Sequence, residues 1–316
     1  MRWSADVFLP DLPIAKDDCP ADVHIYLNSW PDHLVEAQGI TVHAPEGSGS
    51  TRWLSTLGEG EYFLVHYDGD GTQFLIHRSG SRIWCRRKSE YSVEYIGTYL
   101  FGPILGFILR LRGTVCLHGS VVGLGDRAIG VLGPKEAGKS TFAAAWARLG
   151  RPVLADDILA LVEADGLFQA ESAYPRLRLW PDSVAALFGT PDALPAISEG
   201  WDKKHLDLTA EHYQFGVSRR PLAAIYVLSE RTSECEGPRI GEIQGAEALK
   251  TLIANTYAIR MFDKEMRKYE FGLLSRLAAR VPIRSLTPWA DLARLPELCN
   301  MVVGDVEGPR SPGAPI

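Results

Sequence analysis

The chain has 316 residues, 46% hydrophobic and 23% charged, an ordinary balance for a protein that buries one large core or two smaller ones. With a formal net charge of −6, nothing suggests a general nucleic-acid binder. The opening MRWSADVFLPDLPIAKDD lacks the apolar run of a secretion signal, and the most apolar stretch, Tyr99 to Leu109, is too short and too interrupted by Gly and Pro to span a bilayer. The five cysteines, Cys19, Cys85, Cys116, Cys235 and Cys299, form no C-x-x-C pair. A disulfide framework or zinc site is therefore not expected, and a reducing cytoplasmic setting is.

The first twenty or so residues are rich in Pro and Asp and read as a loose arm. From Val23 to Lys88 short strand-like runs recur, VHIYL, GITVHA, EYFLVHY, TQFLIHR and SRIWCRR, separated by turns such as DGDG and SGS. Short strands with regular turn punctuation predict a small antiparallel β domain over residues 1–100. His24, His43, His66 and His77 fall in those strands without a metal-ligand spacing, and Arg86, Arg87 and Lys88 form a short basic run. This region shows no chemistry of its own, so it is assigned a role in substrate recognition.

Glu90 to Leu111 reads as a helical connection, and Gly113 to Gly123 (GTVCLHGSVVG) as a strand carrying His118. The stretch RAIGVLGPKEAGKSTFAAAWARLGRPVLADD follows. Gly133, Gly138, Lys139 and Ser140 fit G-x-x-x-x-G-K-[ST], the phosphate-binding P-loop pattern. An apolar strand-type run precedes it, and an Ala-rich run of helical spacing follows it. A strand turning through glycines into a helix N-terminus gathers unpaired N–H groups and the positive end of the helix dipole at one point. The residues expected to hold ATP are Gly133, Pro134, Lys135, Glu136, Ala137, Gly138, Lys139, Ser140 and Thr141. Lys139 would reach the β- and γ-phosphates, and the Ser140 hydroxyl would ligate Mg²⁺.

RPVLADD reads as a buried parallel strand ending in Asp156 and Asp157, whose pleat would send the two carboxylates to opposite faces. Strands around Asp165-Gly166 form a hairpin, and Pro181 to Leu187 a short helix. Arg176 and Arg178 alternate along a strand-like stretch and would share a side. Thr190 to Gly216 is polar and irregular, reads as a mobile loop, and carries Lys203 and Lys204. Any of these four cations could neutralise charge developing on a transferred phosphoryl group. Pro221 to Leu228 is a buried strand, Gly245 to Leu277 is mostly helical, PIRSLT is a last strand and Trp289 to Leu298 a last helix. The tail, 304–316, is rich in Pro and Gly and is expected to be disordered.

The string HGSVVGLGDRAIGVLGPKEAGKST, followed by ADD, resembles the HPr kinase/phosphorylase family of P-loop serine kinases. That family places a His-Gly strand before the P-loop and an Asp-Asp pair after the P-loop helix. The resemblance is strong over about Gly113 to Leu161 and weaker from there to about Leu298. It implies an α/β fold: a P-loop kinase domain of HPr-kinase type over 101–303, behind the mainly β N-terminal domain. It also implies that Asp156 is the general base. Asp157 then orients His118 or supports Mg²⁺ through water, and His118 is a hydrogen-bond partner of the Asp pair or of the substrate phosphate.

Where HPr-specific members carry a glycine-rich signature after the Asp pair, this chain reads YPRLRLWPDS. That, with the lysine-bearing loop and helical C-terminus, is more similar to HPr-kinase-like enzymes of peptide natural-product clusters, best known as lasso-peptide precursor kinases. The implied activity is ATP- and Mg²⁺-dependent phosphorylation of a serine on a peptide or small-protein substrate, with a homo-oligomer compatible. The alternatives are a bifunctional HPr(Ser) kinase/phosphorylase and a non-catalytic nucleotide-binding regulatory module.

Overall fold

The computed structural model describes residues 1–9, 14, 19–34, 40–43, 52–199, 201–229, 237–257 and 264–308. The chain divides into two compact units, Met1–Thr114 with Ala258–Met266, and Val115–Tyr257 with Arg267–Ile316.

The first unit is a seven-stranded sheet of β1 (Trp3–Ala5), β2 (Val23–Tyr26), β3 (Ile40–His43), β4 (Arg52–Leu57), β5 (Tyr62–Tyr67), β6 (Gln73–His77) and β7 (Arg82–Arg86), in the order β1-β2-β7-β6-β5-β4-β3. The run from β3 to β7 is an antiparallel meander. The β1–β2 and β2–β7 pairings are parallel. Sequence reading missed β4, and β1 pairs into the sheet from within the expected loose arm. Side chains alternate as a half-buried strand requires: in β2, Val23 and Ile25 are buried and His24 is exposed. On one face Leu57, Tyr62, Leu75 and Trp84 cluster with Leu34.

The helical connection expected over Glu90 to Leu111 consists of two helices, α1 (Val93–Tyr99) and α2 (Leu105–Leu111), joined by a π-helical turn over Leu100–Ile104. Gly102 leaves helical backbone there (φ −115°, ψ −109°) and Pro103 lacks an N–H. Both breaks in the hydrogen-bond ladder have a covalent cause. Tyr99 packs on Tyr67 at 4.2 Å and Phe107 meets Phe63 edge-on at 5.1 Å, so both helices lie on this sheet.

Asp70 fixes α1 to the β5–β6 turn. It is 4% exposed, and its Oδ2 accepts hydrogen bonds from the Tyr95 hydroxyl at 2.8 Å and the Tyr99 hydroxyl at 2.6 Å. Its Oδ1 accepts one from the Thr72 amide at 2.8 Å. Burial works against its charge, but the Tyr99, Thr72 and Tyr95 donors outweigh it and hold the carboxyl below its ordinary value of 3.8.

The second unit contains β8 (Val115–Leu124), β9 (Arg127–Leu132), α3 (Lys139–Arg148), β10 (Val153–Ala155), β11 (Ile158–Ala164), β12 (Leu167–Ala170), β13 (Arg176–Leu179) and α4 (Pro181–Phe188). It continues with β14 (Lys204–Asp207), β15 (Arg220–Leu228), β16 (Arg239–Ile243), α5 (Gly245–Ala254), α6 (Lys264–Arg280, of this unit from Arg267 on), β17 (Ile283–Thr287) and α7 (Leu295–Glu307). The parallel pairings are β9–β15 and β15–β17. Pairings β8–β9, β9–β15, β15–β12, β12–β11 and β11–β8 close on themselves. The strands bury apolar side chains on both sides. One cluster packs Val131, Tyr226 and Leu286 under Phe142 and Trp146 of α3, Val184 of α4, and Leu298 and Val302 of α7. The other packs Leu117, Leu159, Ile225 and Ile283 against Leu252 of α5 and Leu274 of α6. Helices therefore cover both faces, as an α/β arrangement requires.

Three expectations are corrected. The strand before Asp156 is not parallel to its neighbour: β10 runs antiparallel to β8. The stretch Thr190 to Gly216 is not structureless, because β14 pairs with β13 and Leu206 and Leu208 enter the core. The last helix starts later and runs further than expected. Pro296 sits in its first turn, and α7 continues through Gly304 to Glu307 because Val302, Val303 and Val306 pack on the core. Residues 309–316 of the expected tail lie outside the described residues, as does Cys235. Cys19, Cys85, Cys116 and Cys299 are free thiols, and burial pushes the Cys85 and Cys299 thiols up to about 12. Among the described residues no helix is long and apolar enough to cross a membrane.

The Asp70 contacts give a stability prediction with a definite sign. A carboxyl whose pKa is lowered on folding stabilises fully above its unfolded value of 3.8 and loses that contribution as pH falls below it. Asp70→Asn is expected to reduce the unfolding free energy by about 1–3 kcal/mol at pH 7. The gap from wild type should narrow below about pH 4. Urea unfolding of both proteins at pH 7 and pH 3.5 measures it, and a gap that widens at low pH contradicts the assignment.

Candidate functional site

The strand β9 ends at Leu132 and α3 begins at Lys139, so the Gly133–Gly138 loop joins a buried strand to a helix N-terminus. Positive φ recurs along it: Gly133 148°, Glu136 68° and Gly138 99°. At Gly133 a Cβ would also lie 2.9 Å from the Leu228 carbonyl oxygen, so only glycine fits against β15. Gly138 is the N-cap of α3 and offers no side-chain cap. The Phe142 amide reaches the Gly138 carbonyl at 2.8 Å. The amides of Lys139, Ser140 and Thr141 come earlier and have no carbonyl one turn back inside the helix. The Ala-rich sequence lets α3 sink: Phe142 through Ala147 are all at most 2% exposed. Its N-terminus is thus fixed by packing, while its unmatched amides face the loop.

Lys139 turns back over that loop. Its Nζ donates to the Gly133 and Pro134 carbonyls, each at 2.9 Å. Burial lowers its pKa, partly offset by the Asp157 and Asp156 carboxylates, while Lys203 adds repulsion. Ser140 points to the other side and donates from Oγ to Asp156 Oδ1 at 2.9 Å.

Asp156 and Asp157 occupy the bend between β10 and β11. Asp156 is 6% exposed and well supplied with donors. Its Oδ1 also accepts from Ser120 Oγ at 2.7 Å, and its Oδ2 from the Arg178 amide at 3.2 Å. Asp157 has left-handed backbone, φ 69°, and its side chain is 30% exposed. Its Oδ2 accepts from the Tyr257 hydroxyl at 2.9 Å, and its Oδ1 lies 3.8 Å from His118 Nδ1. The His118 ring stacks on Tyr257, centroids 5.7 Å apart and planes within 10°. Burial first, and then Lys139 and Lys203, disfavour protonation of His118; Asp157 and Asp156 favour it without prevailing, so the imidazole is neutral at pH 7.

The four candidate cations separate. Arg178 sits among the acidic groups: burial opposes its charge, but Tyr174, Asp157, Tyr257 and Asp156 together hold its proton more firmly than usual. Arg176 instead lies 3.4 Å from His205 Nε2 across the β13–β14 pair. Lys203 rests over the Trp180 ring at 5.0 Å and is close enough to disfavour charge on Lys139 and His118. Lys204 is turned to Asp192 at 2.9 Å. Within the loop, Lys135 and Glu136 pair in solvent at 3.5 Å, and the Thr141 hydroxyl meets Ser183 of α4 at 2.8 Å. The structure therefore gathers His118, Lys139, Ser140, Asp156, Asp157, Arg178 and Lys203, and turns Arg176 and Lys204 towards other partners. Ser120, Asn255, Tyr257 and Trp180 were not legible as site residues, because each reaches the site only through tertiary pairing.

These donors fit the groups that the loop pattern implies. The uncapped amides and Lys139 suit a chain of phosphates. The Ser140 hydroxyl beside the Asp156 carboxylate is an all-oxygen pair of the kind Mg²⁺ takes, with phosphate and water oxygens completing its shell. Among the described residues no group of three or more His, Cys, Asp or Glu could hold a metal without such help.

No family model matches the sequence, and no curated protein matches it. Among solved structures, the chain is similar to the HPr(Ser) kinase/phosphatase from Coxiella burnetii, with a TM-score of 0.34 and 11% identity, over 61% of this chain and 99% of that one.

The loop geometry is open to a direct test. Gly133→Ala places a Cβ against the Leu228 carbonyl at a backbone angle that alanine rarely adopts. It is expected to cost about 1–3 kcal/mol of stability. Nucleotide affinity, read by calorimetry on the folded fraction, should fall with it. An alanine variant with wild-type melting temperature and affinity would contradict the geometry.

Proposed function

We propose that the chain is a P-loop kinase that transfers the γ-phosphoryl group of ATP to a serine hydroxyl of a peptide or small protein. The observation that carries this reading is the hydrogen bond from Ser140 at the uncapped N-terminus of α3 to Asp156, with Asp157 and His118 in the adjoining bend. A nucleotide binder needs the loop and the serine. It has no need of a second, accessible carboxylate on a buried bend. The sequence resemblance to HPr-kinase-like enzymes of peptide clusters points the same way and supplies the acceptor class. On this reading the N-terminal β unit takes part in acceptor recognition.

In this mechanism the loop amides and Lys139 bind the phosphates, and Mg²⁺ held beside Ser140 supplies charge neutralisation when bound. Arg178 and Lys203 counter the negative charge that gathers during transfer. The two aspartates divide the remaining work, and the geometry favours the reverse of the division drawn from the resemblance. Asp156 is buried and already accepts three hydrogen bonds, two of them on one oxygen. It is suited to holding Ser140 in place. Asp157 is half-open, accepts from Tyr257 on one oxygen and turns the other towards His118. It is the carboxylate with room for a serine hydroxyl, and we assign it the proton. Neutral His118 orients it and leaves the acceptor's approach free of a further fixed charge.

The aspartate pair supplies a first prediction of this mechanism. Asp157→Asn should bind Mg-ATP nearly as wild type and transfer phosphate at least about 100-fold more slowly. Asp156→Asn should first weaken Mg²⁺-dependent nucleotide binding. The assay is initial transfer to synthetic peptides ending in serine, with alanine-ended controls, beside calorimetric affinity. Slow chemistry with intact affinity in Asp156→Asn alone restores the base role to Asp156. Full activity in both variants ends the kinase reading.

The lysine pair supplies the second. Lys203→Ala should slow transfer by about tenfold or more, as for loss of one preorganised cation. Lys204→Ala, whose ammonium is held by Asp192, should leave the rate within about twofold of wild type. Equal effects from the two would refute this separation.

A further inference from the structure

Three residues just after α5 touch the start of the loop, His118 and Asp157. Asn255 Oδ1 accepts from the Gly133 amide at 3.2 Å, where the loop begins. Its Nδ2 donates to the Thr251 carbonyl at 2.8 Å, so the side-chain amide satisfies both ends in one orientation. Its backbone carbonyl accepts from the His118 amide at 2.7 Å. Thr256 bridges antiparallel to Leu117, and the Tyr257 amide donates to the Cys116 carbonyl at 2.9 Å. The tripeptide thus runs along β8 as a short strand. On its other edge, β8 pairs with β11, where His118 lies opposite Ile158. Tyr257 is 8% exposed, reaches Asp157 with its hydroxyl and covers His118 with its ring.

Deepening the kinase reading, and resting on it for its catalytic half, we propose that Asn255 and Tyr257 are positioning residues of one strut, which registers the start of the phosphate loop against the Asp157 carboxylate. Asn255 aims the Gly133 amide and so shapes the loop. Tyr257 occupies Oδ2 of Asp157 and so decides which oxygen faces His118 and the acceptor. Neither side chain is assigned contact with the reacting atoms. Both act through a residue that has it. The α5 terminus serves this purpose because β8 holds it: one backbone ladder fixes both side chains at once, and shifting it would move both contacts together.

The two halves have separate readouts. Asn255→Ala should weaken Mg·ADP affinity by about 5- to 20-fold, the loss expected for one hydrogen bond that orients a binding group. Tyr257→Phe removes one oxygen and keeps the ring on His118. It should leave Mg·ADP affinity within about twofold and the peptide KM unchanged, while kcat falls about 10- to 100-fold, as for loss of a hydrogen bond to a charged group. The double variant Tyr257→Phe with Asp157→Asn should be no slower than Asp157→Asn alone, because the tyrosine acts through that carboxylate. Melting temperatures establish that the variants are folded. Tyr257→Phe keeps the test decisive if Asn255→Ala loses stability. Unchanged kcat in folded Tyr257→Phe, or losses that multiply in the double variant, would overturn the catalytic half. Unchanged Mg·ADP affinity in folded Asn255→Ala would overturn the loop half. A wild type that phosphorylates no peptide, with affinity still lost in Asn255→Ala, would end the kinase reading and its dependent half and leave the loop half standing.

Discussion

Asp156 is the group on which the site depends. It lies at the end of β10, and its three donors come from three other elements: Ser120 from β8, Ser140 from α3 and the Arg178 amide from β13. A carboxylate buried to this degree is tolerated only when its lone pairs are taken up. The requirement runs in both directions. Asp156 needs those donors, and the donors acquire fixed positions because a buried charge holds them. The N-terminus of α3, the strand that leads to His118 and the strand that presents Arg178 are thereby pinned to one point. Loss of any partner would leave a buried group unmatched, which is why this part of the unit should be rigid before any ligand arrives.

Around that point the sheets supply a scaffold with few free choices. Strand β9 must end where the loop begins, and it lies between β8 and the parallel strand β15. Gly133 is where the loop leaves the sheet, and the Leu228 carbonyl leaves no space for a side chain there. The helix after the loop is made of alanines with Phe142 and Trp146 between them, so it can lie close on the strands while the aromatic rings fill the remaining space. Trp146 also donates from Nε1 to the Gly123 carbonyl at 3.1 Å, tying the last turn of α3 to β8. Packing sets the direction of the helix, and the helix direction sets where its unmatched amides point.

Much of this was legible in the sequence for a physical reason. Gly133, Gly138, Lys139 and Ser140 are close in the chain, so their spacing alone encodes a loop and a helix start. The hairpin at Asp165-Gly166 was legible on the same grounds: both residues have positive φ, 52° and 74°, and β11 and β12 pair directly across them. What escaped was everything that depends on pairing distant segments. Nothing near Tyr257 in the chain marks it, since its meaning comes from lying beside Cys116 and under His118. The antiparallel setting of β10 escaped for the same reason. A short apolar run reads alike in either direction, and only its partner Val122 on β8 decides. Lys203 and Lys204 were indistinguishable until Trp180 and Asp192 took one each.

The separation of the two aspartates was expected from the pleat of a strand and arises in another way. Asp157 lies beyond the end of β10, in left-handed backbone. A straight strand would have carried the second carboxylate to the opposite face of the sheet, away from Ser140 and His118. The left-handed residue kinks the chain instead: β10 and β11 run in the same direction, both antiparallel to β8, and the break at Asp156-Asp157 keeps both carboxylates near Lys139 and His118. Glycine would adopt this backbone at less cost, but it has no carboxylate. Among residues with side chains, Asp and Asn enter this region most readily, because a short polar side chain can bond locally or to a near neighbour. Asp157 therefore meets two demands at one position, a kink between β10 and β11 and an accessible negative charge. Its hydrogen bond from Tyr257 helps to hold the strained conformation in place. Fold and proposed chemistry thus meet in one residue, and the backbone angle that kinks the strand also sets the exposure of the carboxylate that would act.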